Sequence, residues 1–393
     1  MTEIYLDNSA TTRPYREIIE LINRVQAETY GNPSSMHKKG LEAEKLIGEA
    51  RRQVAAFFSN RESEVVFTSG GTEANNLAIK GAAYRNRRRG GHLVTTSIEH
   101  PSVLNCFRFL EQEGFSVTYL PVDEHGLVNP GDLKNLVGKE TTLVSIMHVN
   151  SEIGSIQPLG EIGQLIKKAN PDVLFHIDAV QSFARLPLKL KEWSSDMISC
   201  SAHKIHGPRG AGSLWIKEGT LLQPLIHGGG QEKEIRPGTE NTAAIAGFGL
   251  AVRLANGNLR QKTESLTNLK LSFYNEIQKS GVLFTVNGPT PEDGAPHILN
   301  LSFPGLKAEL LLHSLEEQGI YVSAGSACHS RRPDPSHVLK AIGLSGARLE
   351  SALRFSFSTL NTEDEVVYAA HKTAEVVREL SSMLKNKQLP DWR

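Results

Sequence analysis

A lysine and an aspartate stand at the ends of two apolar runs near the middle of the chain. Asp178 ends the run at 173–177, and Lys204 follows the run at 196–200 after a serine, an alanine and a histidine. A lysine amine can form an imine with an aldehyde, and a carboxylate can keep a pyridine nitrogen protonated so that the ring accepts electrons. A pyridoxal phosphate site needs this pair. The alternative is a surface lysine near an unrelated aspartate at a strand end.

Two segments have the residues to hold a phosphate group. Residues 68–73, Thr-Ser-Gly-Gly-Thr-Glu, follow a predicted strand and open a helical pattern. Gly71 allows a close backbone approach, and the free N–H groups at a helix start attract an anion. No Gly-Lys-Ser/Thr follows, so the segment is not a Walker loop, and a simple tight turn is its alternative. Ser201 and His203, beside the lysine, can donate hydrogen bonds to the same phosphate.

Polar residues follow two further predicted strands. His100 precedes Pro101, which can start a helix, and its ring can stack on a cofactor and move protons near neutral pH. Asn150 can reach a cofactor hydroxyl or a substrate carboxylate. The alternatives are a helix-capping histidine and an asparagine that makes only a local turn.

The composition is that of an ordinary globular protein. The chain has 393 residues, of which 39% are hydrophobic and 22% charged, and its net charge is zero. This balance argues against a nucleic-acid or membrane surface. The basic run 85–89 ends a helical pattern and indicates a solvated helix end.

Three cysteines, Cys106, Cys200 and Cys328, are too few for a disulfide framework or a four-thiolate metal site, so no metal is expected. The first residues have no basic-then-apolar signal pattern, and no apolar run approaches membrane-spanning length. We therefore expect a cytoplasmic protein in a reducing compartment, where a cysteine stays available as a thiol.

Short β-rich runs alternate with helical patterns between about residues 60 and 217. This alternation predicts an α/β domain around a mostly parallel sheet. The predicted strands are 64–68, 92–96, 116–120, 143–147, 173–177, 197–200 and 212–216. Because ligands gather beyond the carboxyl ends of such strands, we expect one site there, formed by Thr72, His100, Asn150, Asp178, Gln181 and Lys204.

A smaller α+β region follows a long helical pattern at 246–280. Its predicted strands are 282–286, 297–303, 320–322 and 353–358, and a final helix is predicted over 362–384. The predicted division is a large domain at 13–250 and a small C-terminal domain at 251–393. Residues 1–12 are expected to pack back on the small domain.

Taken together, the motifs resemble the cysteine desulfurases, in the class V branch of the fold-type I enzymes that depend on pyridoxal phosphate. The similarity runs almost from end to end. The matching segments are 5–12, 31–35, 68–73, 144–150, 178–181, 201–204, 227–231, 236–239, 323–328 and 354–356.

The resemblance implies a role for each residue of the site. Lys204 would bond the cofactor aldehyde, with Asp178 at the ring nitrogen, Gln181 at the phenolic oxygen and His100 stacked on the ring. Further implied cofactor contacts come from Gly71, Thr72, Asn150, Ser201 and His203. A homodimer is also implied, in which Thr239 of the partner subunit completes the phosphate site.

Cys328 decides the activity that the resemblance implies. The Gly-Ser-Ala sequence before it and the charged run 329–335 after it suggest a loop that can carry a sulfur atom. Basic neighbours, among them Arg331 and Arg332, favour the thiolate that acts as a nucleophile. A buried packing role is the alternative for an isolated cysteine. Ala324 and His329 depart from the commoner family loop, where Ser and Thr are frequent.

Arg354, in a predicted strand, has the planar guanidinium that binds a carboxylate with two hydrogen bonds. The expected substrate site is therefore Arg354, assisted by Asn150, with the α-carboxylate of L-cysteine. An ordinary ion pair is the alternative for Arg354.

The expected reaction converts L-cysteine to L-alanine and leaves the sulfur on Cys328 as a persulfide, with Lys204 and His100 moving protons. The sulfur then passes to a protein acceptor, either an iron–sulfur scaffold or an enzyme of tRNA thiolation. A selenocysteine lyase or a cysteine sulfinate desulfinase is the alternative within the fold. A non-catalytic protein with this fold is the alternative from another class.

Overall fold

The computed structural model describes residues 3–324 and 335–387, with side chains described up to residue 384. Within these residues, no helix combines the length and the apolar character needed to cross a membrane.

The described chain contains thirteen strands and thirteen α-helices. The strands are β1 (Ile4–Tyr5), β2 (Val65–Thr68), β3 (His92–Thr96), β4 (Ser116–Leu120), β5 (Thr141–Met147), β6 (Leu174–Asp178), β7 (Met197–Ser201), β8 (Gly212–Ile216), β9 (Thr285–Val286), β10 (Ile298–Ser302), β11 (Ile320–Tyr321), β12 (Ser323–Ala324) and β13 (Ala352–Ser356). The helices are α1 (Arg16–Glu28), α2 (Lys38–Phe58), α3 (Gly71–Asn86), α4 (Pro101–Gln112), α5 (Pro130–Leu136), α6 (Leu159–Ala169), α7 (Leu190–Trp193), α8 (Thr242–Asn256), α9 (Leu259–Lys279), α10 (Ala308–Glu317), α11 (His337–Ala341), α12 (Gly346–Glu350) and α13 (Glu363–Lys387).

Seven strands form the central sheet, in the order β2-β8-β7-β6-β5-β3-β4. The neighbours from β7 to β4 pair in parallel, and β8 runs antiparallel to both of its neighbours. The predicted α/β class with a mostly parallel sheet is therefore confirmed. Since the parallel strands end at one edge, the loops after β2, β3, β5, β6 and β7 meet there.

Successive residues of the sheet pack against helices on opposite faces. Leu143 packs in the cluster that contains α3 and α4, whereas Val144 packs in the cluster that contains α2, α6 and α8. All seven side chains of β5 are buried. Strands covered on both faces are continuous apolar runs, which is why the sequence pattern predicts them well.

The second core contains the antiparallel sheet β12-β13-β10-β9 and the helices α9, α10 and α13. Ile4 and Leu6 are buried in the same cluster as Phe273 and Phe355. The strand β1 pairs in parallel with β11, with Ile4 opposite Ile320.

The single long helix predicted over 246–280 is wrong, because two helices cover that range. The helix α8 contributes Phe248, Ala251 and Val252 to the core around the large sheet, whereas α9 contributes Phe273 to the second core. The residues between the helices are Gly257 and Asn258. Our division of the chain near residue 250 stays a proposal, and the two cores favour a junction at Gly257.

Candidate active site

Asp178 ends the central strand β6 as a buried carboxylate, 6% exposed. Its Oδ1 accepts the backbone N–H of Val180 at 2.9 Å, and its Oδ2 accepts Nδ2 of Asn75 at 2.8 Å. Among the described residues, no cationic side chain forms an ion pair with it. A buried carboxylate of this kind favours a positively charged or proton-sharing ligand.

Lys204 ends the short 3₁₀ helix Ala202–Lys204, which follows the neighbouring strand β7. Its Nζ donates to the carbonyl oxygen of Ala10 at 2.8 Å and to that of Ser9. The N-terminal segment thus holds the amine at the same sheet edge as Asp178. The backbone also ties the two segments together, because Thr12 N–H donates to the carbonyl of His203 at 2.9 Å.

A cavity of about 350 Å³ opens at the start of α3. It is lined by Thr11, Ser69, Gly70, Gly71, Thr72, Glu73, Ser201, His203, Arg209 and Gly210. A Cβ atom on Gly71 would lie 2.6 Å from Cγ2 of Val180, so a larger residue there would displace the Val180 side chain. Backbone N–H groups at the start of this 16-residue helix and the exposed Arg209 suit an anion.

Three side chains that line this cavity are those predicted to hold a phosphate, namely Thr72, Ser201 and His203. The hydroxyl of Ser201 is buried and has no hydrogen-bond partner among the described residues. His203 Nδ1 lies 3.2 Å from Oγ1 of Thr11, and desolvation lowers the pKa of His203 to about 4, with the Lys204 charge acting in the same direction. His203 is therefore neutral near pH 7 and can donate one hydrogen bond.

His100 caps the N-terminus of α4, as the sequence alternative proposed, and the residue is exposed. Its Nδ1 accepts the backbone N–H of Ser102 at 3.1 Å and lies 2.8 Å from the Ser102 hydroxyl. The restricted hydration of the ring lowers the pKa of His100, and Asp178 opposes that shift. A cap and a reactive ring are compatible, since Nε2 takes no part in the cap.

Gln181 links the N-terminal segment to a buried arginine. Its Nε2 donates to the carbonyl of Ser9 at 2.9 Å, and its Oε1 accepts Nη1 of Arg185 at 3.1 Å. Arg185 also donates to the carbonyls of Asn8 and Lys204. Burial lowers the pKa of Arg185 to about 9. Arg185 was not predicted, because a lone arginine after a strand has no distinctive sequence signal.

Asn150 makes the local turn that was the alternative to a ligand contact. Its Oδ1 accepts the backbone N–H groups of Glu152 and Ile153, at 2.8 and 3.1 Å, and its Nδ2 donates to the carbonyl of Ile98 at 3.0 Å. The side chain is fully buried. This geometry favours a positioning role over the predicted contact with cofactor or substrate.

Arg354 lies on β13 and forms an ion pair with Asp7 through Nη2. Its Nη1 donates to the carbonyl of Ser151 at 3.0 Å, and its buried Nε has no partner among the described residues. The nearby Glu152 is partly buried, and desolvation raises its pKa to about 7. The ion-pair alternative for Arg354 is therefore present, and a substrate carboxylate would share the guanidinium with Asp7.

Thr239 is exposed and does not line the cavity of its own chain. Cys328, the predicted sulfur acceptor, lies outside the described residues. The segment that follows it in the described chain is attached to the site, because His337 Nε2 lies 2.9 Å from the carbonyl of Glu99 and the Ser336 hydroxyl donates to Glu152.

Glu99 is a buried acid that sequence reasoning missed. Its Oε1 accepts the Thr96 hydroxyl and the Met147 N–H, both at 2.8 Å, while Oε2 is buried without a partner among the described residues. Burial raises the pKa of Glu99 to about 8, and the charge of Asp178 adds to the rise. Its position directly before His100 was the only available signal.

The assembled groups can hold an anion at α3, compensate a positive ring nitrogen at Asp178 and present an amine at Lys204. Comparison with known proteins also indicates an enzyme of this kind. The model of the family described as aminotransferase class-V matches residues 4–368. A cysteine desulfurase IscS from Clostridium botulinum is 43% identical over 98% of this chain and 99% of its own length.

Two solved structures are similar over nearly the whole chain. A NifS-like protein has a TM-score of 0.90 and 37% identity, and the match covers 96% of this chain and all of that one. The protein SspA, solved in complex with cysteine, has a TM-score of 0.79 and 36% identity over 92% of this chain and all of that one.

The buried acid Glu99 predicts a specific dependence of stability on pH. The unfolded chain loses the Glu99 proton near pH 4.5, whereas the folded protein keeps it until about pH 8. Its contribution to the free energy of unfolding is therefore fully present below pH 4.5 and falls as the pH rises to 8, by at most about 1.4 kcal/mol per pH unit. Glu99→Gln should flatten this fall, measured by urea unfolding from pH 5 to 8.5.

The exposed Glu44 on α2 supplies the matched control, since Glu44→Gln should follow the wild-type pH dependence. Glu152 titrates in all three proteins, so the difference between wild type and Glu99→Gln isolates Glu99. Parallel curves for these two proteins would show that Glu99 is ionised in the folded state at neutral pH.

Proposed function

Because the chain belongs to the class-V aminotransferase family and is a cysteine desulfurase that uses pyridoxal phosphate, we propose that Lys204, Asp178 and His100 form its reaction centre and that Cys328 receives the sulfur. The observation that carries this proposal is the convergence of Lys204 and Asp178 at one sheet edge, beside an anion cavity. L-Cysteine is the substrate.

Three features support the cofactor contacts. The buried, unpartnered hydroxyl of Ser201 and the N-terminus of α3 suit the phosphate group, together with Gly71, Thr72 and His203. Asp178, which has no cationic partner among the described residues, suits a protonated ring nitrogen. Gln181 lies between these groups and the N-terminal segment, and its remaining amide hydrogen is assigned to the phenolic oxygen.

Pyridoxal phosphate supplies an aldehyde that bonds an amine and a ring that accepts electrons from a substrate carbon. The protein supplies the rest. Lys204 would be the residue that holds the aldehyde carbon covalently, and its Nζ would accept and return a proton. Asp178 would keep the ring nitrogen protonated, and His100 would contact the ring and offer Nε2 to the substrate.

Arg354 is our candidate for the substrate carboxylate. It is a buried cation with one N–H, at Nε, that lacks an acceptor among the described residues. A carboxylate there would satisfy this donor and would compete with Asp7 for the guanidinium. Asn150 supports the site indirectly, through the turn at 150–153 that leads to the Ser151 carbonyl.

The sulfur transfer balances without an external oxidant or reductant. The Cys328 thiolate attacks the substrate sulfur, the carbon–sulfur bond breaks, and its electron pair stays on the carbon side. Protons from the protein then complete L-alanine. L-Cysteine and the Cys328 thiol together have the atoms and electrons of L-alanine and a Cys328 persulfide.

We infer further that the enzyme is a cytoplasmic homodimer that delivers the persulfide sulfur to a protein acceptor, an iron–sulfur scaffold or a tRNA thiolation enzyme. The exposed Thr239 would then complete the phosphate site of the partner subunit. Large apolar side chains at the surface, Met36 at 97% and Tyr30 at 73% exposed, support a subunit interface. A selenocysteine lyase or sulfinate desulfinase would not need the thiol of Cys328.

The ring-nitrogen role of Asp178 predicts a selective loss of catalysis. Asp178→Asn keeps the size of the side chain and an acceptor for Asn75 but removes the negative charge. A neutral amide cannot hold the ring nitrogen protonated, so turnover should fall at least about a hundredfold, or about 2.7 kcal/mol of barrier. Alanine formation from L-cysteine is the measurement, at matched cofactor content.

Asp172→Ala is the control, because Asp172 forms a surface ion pair with Arg89 whose two side chains are 69% and 56% exposed. It should turn over like wild type. Near-normal turnover in a folded, cofactor-loaded Asp178→Asn protein would remove Asp178 from the proposed role.

Cys328→Ser tests the sulfur acceptor directly. A serine hydroxyl stays protonated near pH 7 and is a poor nucleophile toward sulfur. The variant should keep the cofactor yet form essentially no alanine or sulfide from L-cysteine. In wild type without reductant, mass spectrometry should find one added sulfur atom on the Cys328 peptide. Wild-type desulfuration by Cys328→Ser, or added sulfur on Cys106 or Cys200, would contradict the mechanism.

A further inference from the structure

One buried amide connects Asp178 of the proposed reaction centre with Ser102, which contacts His100. Asn75, on α3, is 1% exposed. Its Nδ2 donates to Oδ2 of Asp178 at 2.8 Å and to Oγ of Ser102 at 2.9 Å. An amide nitrogen has two hydrogens, so both bonds form together.

Electrostatics fixes the orientation of this amide. The reversed amide would turn its carbonyl oxygen toward the Asp178 carboxylate, which repels it. The orientation found leaves Oδ1 of Asn75 buried without a hydrogen bond among the described residues. That cost indicates that the two N–H donations are the interactions that matter at this position.

The Ser102 side chain, which accepts a hydrogen bond from Asn75, also contacts His100. The Ser102 backbone N–H donates to Nδ1 of His100 at 3.1 Å, and the Ser102 hydroxyl lies 2.8 Å from the same nitrogen. Because Nδ1 accepts the backbone N–H, it has no proton of its own, so the Ser102 hydroxyl can only donate to it. A ring nitrogen that accepts two hydrogens has none of its own, so the neutral ring has its proton on Nε2.

We propose that Asn75 and Ser102 are positioning residues that couple Asp178 to His100, keeping Asp178 a carboxylate and His100 a neutral ring whose Nε2–H is a hydrogen-bond donor. Neither residue touches the reacting atoms. The proposal rests on the proposed function, because it specifies the state of two of its groups. In the resting protein, therefore, Nε2 of His100 already has a proton and cannot accept one. Lys204 is then the group that accepts a proton from the substrate.

Charged and titratable groups surround the His100 ring from several elements. They are Asp178 at the end of β6, His203 and Lys204 after β7, and His337 at the start of α11. Desolvation is the largest cause of the lowered pKa of His100. The charge of Asp178 raises this pKa, and the charges of Lys204 and His337 lower it further. The hydrogen bonds from Ser102 favour the same neutral ring, so geometry and charge agree.

We call the hydrogen-bonded series Asp178–Asn75–Ser102–His100 the relay. Ring NMR of histidine-labelled protein without cofactor tests the relay apart from catalysis. The His100 signals are assigned by their loss in His100→Gln. In wild type we expect the Nε2–H tautomer and a pKa below the ordinary value. Ser102→Ala should raise the pKa of His100 by about one unit, a tenfold change in proton affinity. Asn75→Leu should also change the tautomer ratio, although Asn75 does not contact the ring.

Activity of the loaded enzyme supplies the second measurement. Asn75→Leu and Ser102→Ala should each lower kcat about tenfold with little change in KM, because neither contacts the substrate. Their combined effect should be smaller than the product of the two, as for residues of one network. Asn86→Ala, in the last turn of α3, loses a similar bond to the Ala82 carbonyl and should behave as wild type in both measurements.

An unchanged His100 tautomer and pKa in Asn75→Leu and Ser102→Ala would overturn the relay. If wild type converts L-cysteine to alanine while these variants match it, the relay fails and the proposed function stands. If wild type makes no alanine but the NMR changes appear, the relay stands and the proposed function fails.

Discussion

Asp178 is a buried negative charge at the end of a central strand, and the site is organised around it. A buried carboxylate is costly unless hydrogen bonds or an opposite charge compensate it. The described protein supplies two N–H donors, one from the turn after β6 and one from Asn75 on α3. In our proposal, the remaining compensation comes from the protonated ring nitrogen of the cofactor. The same carboxylate adds to the high pKa of Glu99 and opposes the low pKa of His100.

The N-terminal segment joins the two cores through this site. Ile4 and Leu6 pack in the second core, and Asp7 forms the ion pair with Arg354. The next residues, Ser9 and Ala10, offer carbonyl oxygens to Lys204 at the edge of the large sheet. A change in how the cores meet would therefore move Arg354 and Lys204, the proposed substrate-binding and cofactor-binding residues, together.

The sequence predicts the parts of this site that have a local signal. All seven strands of the large sheet were predicted within two residues of their ends, and the fully buried β5 is a largely apolar run. Polar residues at strand ends, such as Asp178 and His100, were found for the same reason. The helix over 246–280 was wrong, because its apolar pattern continues across the break at Gly257 and only the packing of two cores divides it. The pairing of Arg354 with Asp7 spans 347 positions, and Asn75 is one of two adjacent asparagines in a helix, so neither had a local signal.

We propose that one site at this sheet edge holds the cofactor, with Lys204 as its covalent partner and Asp178 at its ring nitrogen. Borohydride reduction of the cofactor-loaded protein makes the lysine–cofactor bond permanent, and peptide mapping by mass spectrometry then identifies the lysine. We predict that the modified peptide contains Lys204 and that Lys204→Ala yields none. A reduced cofactor attached to any other lysine would contradict the account.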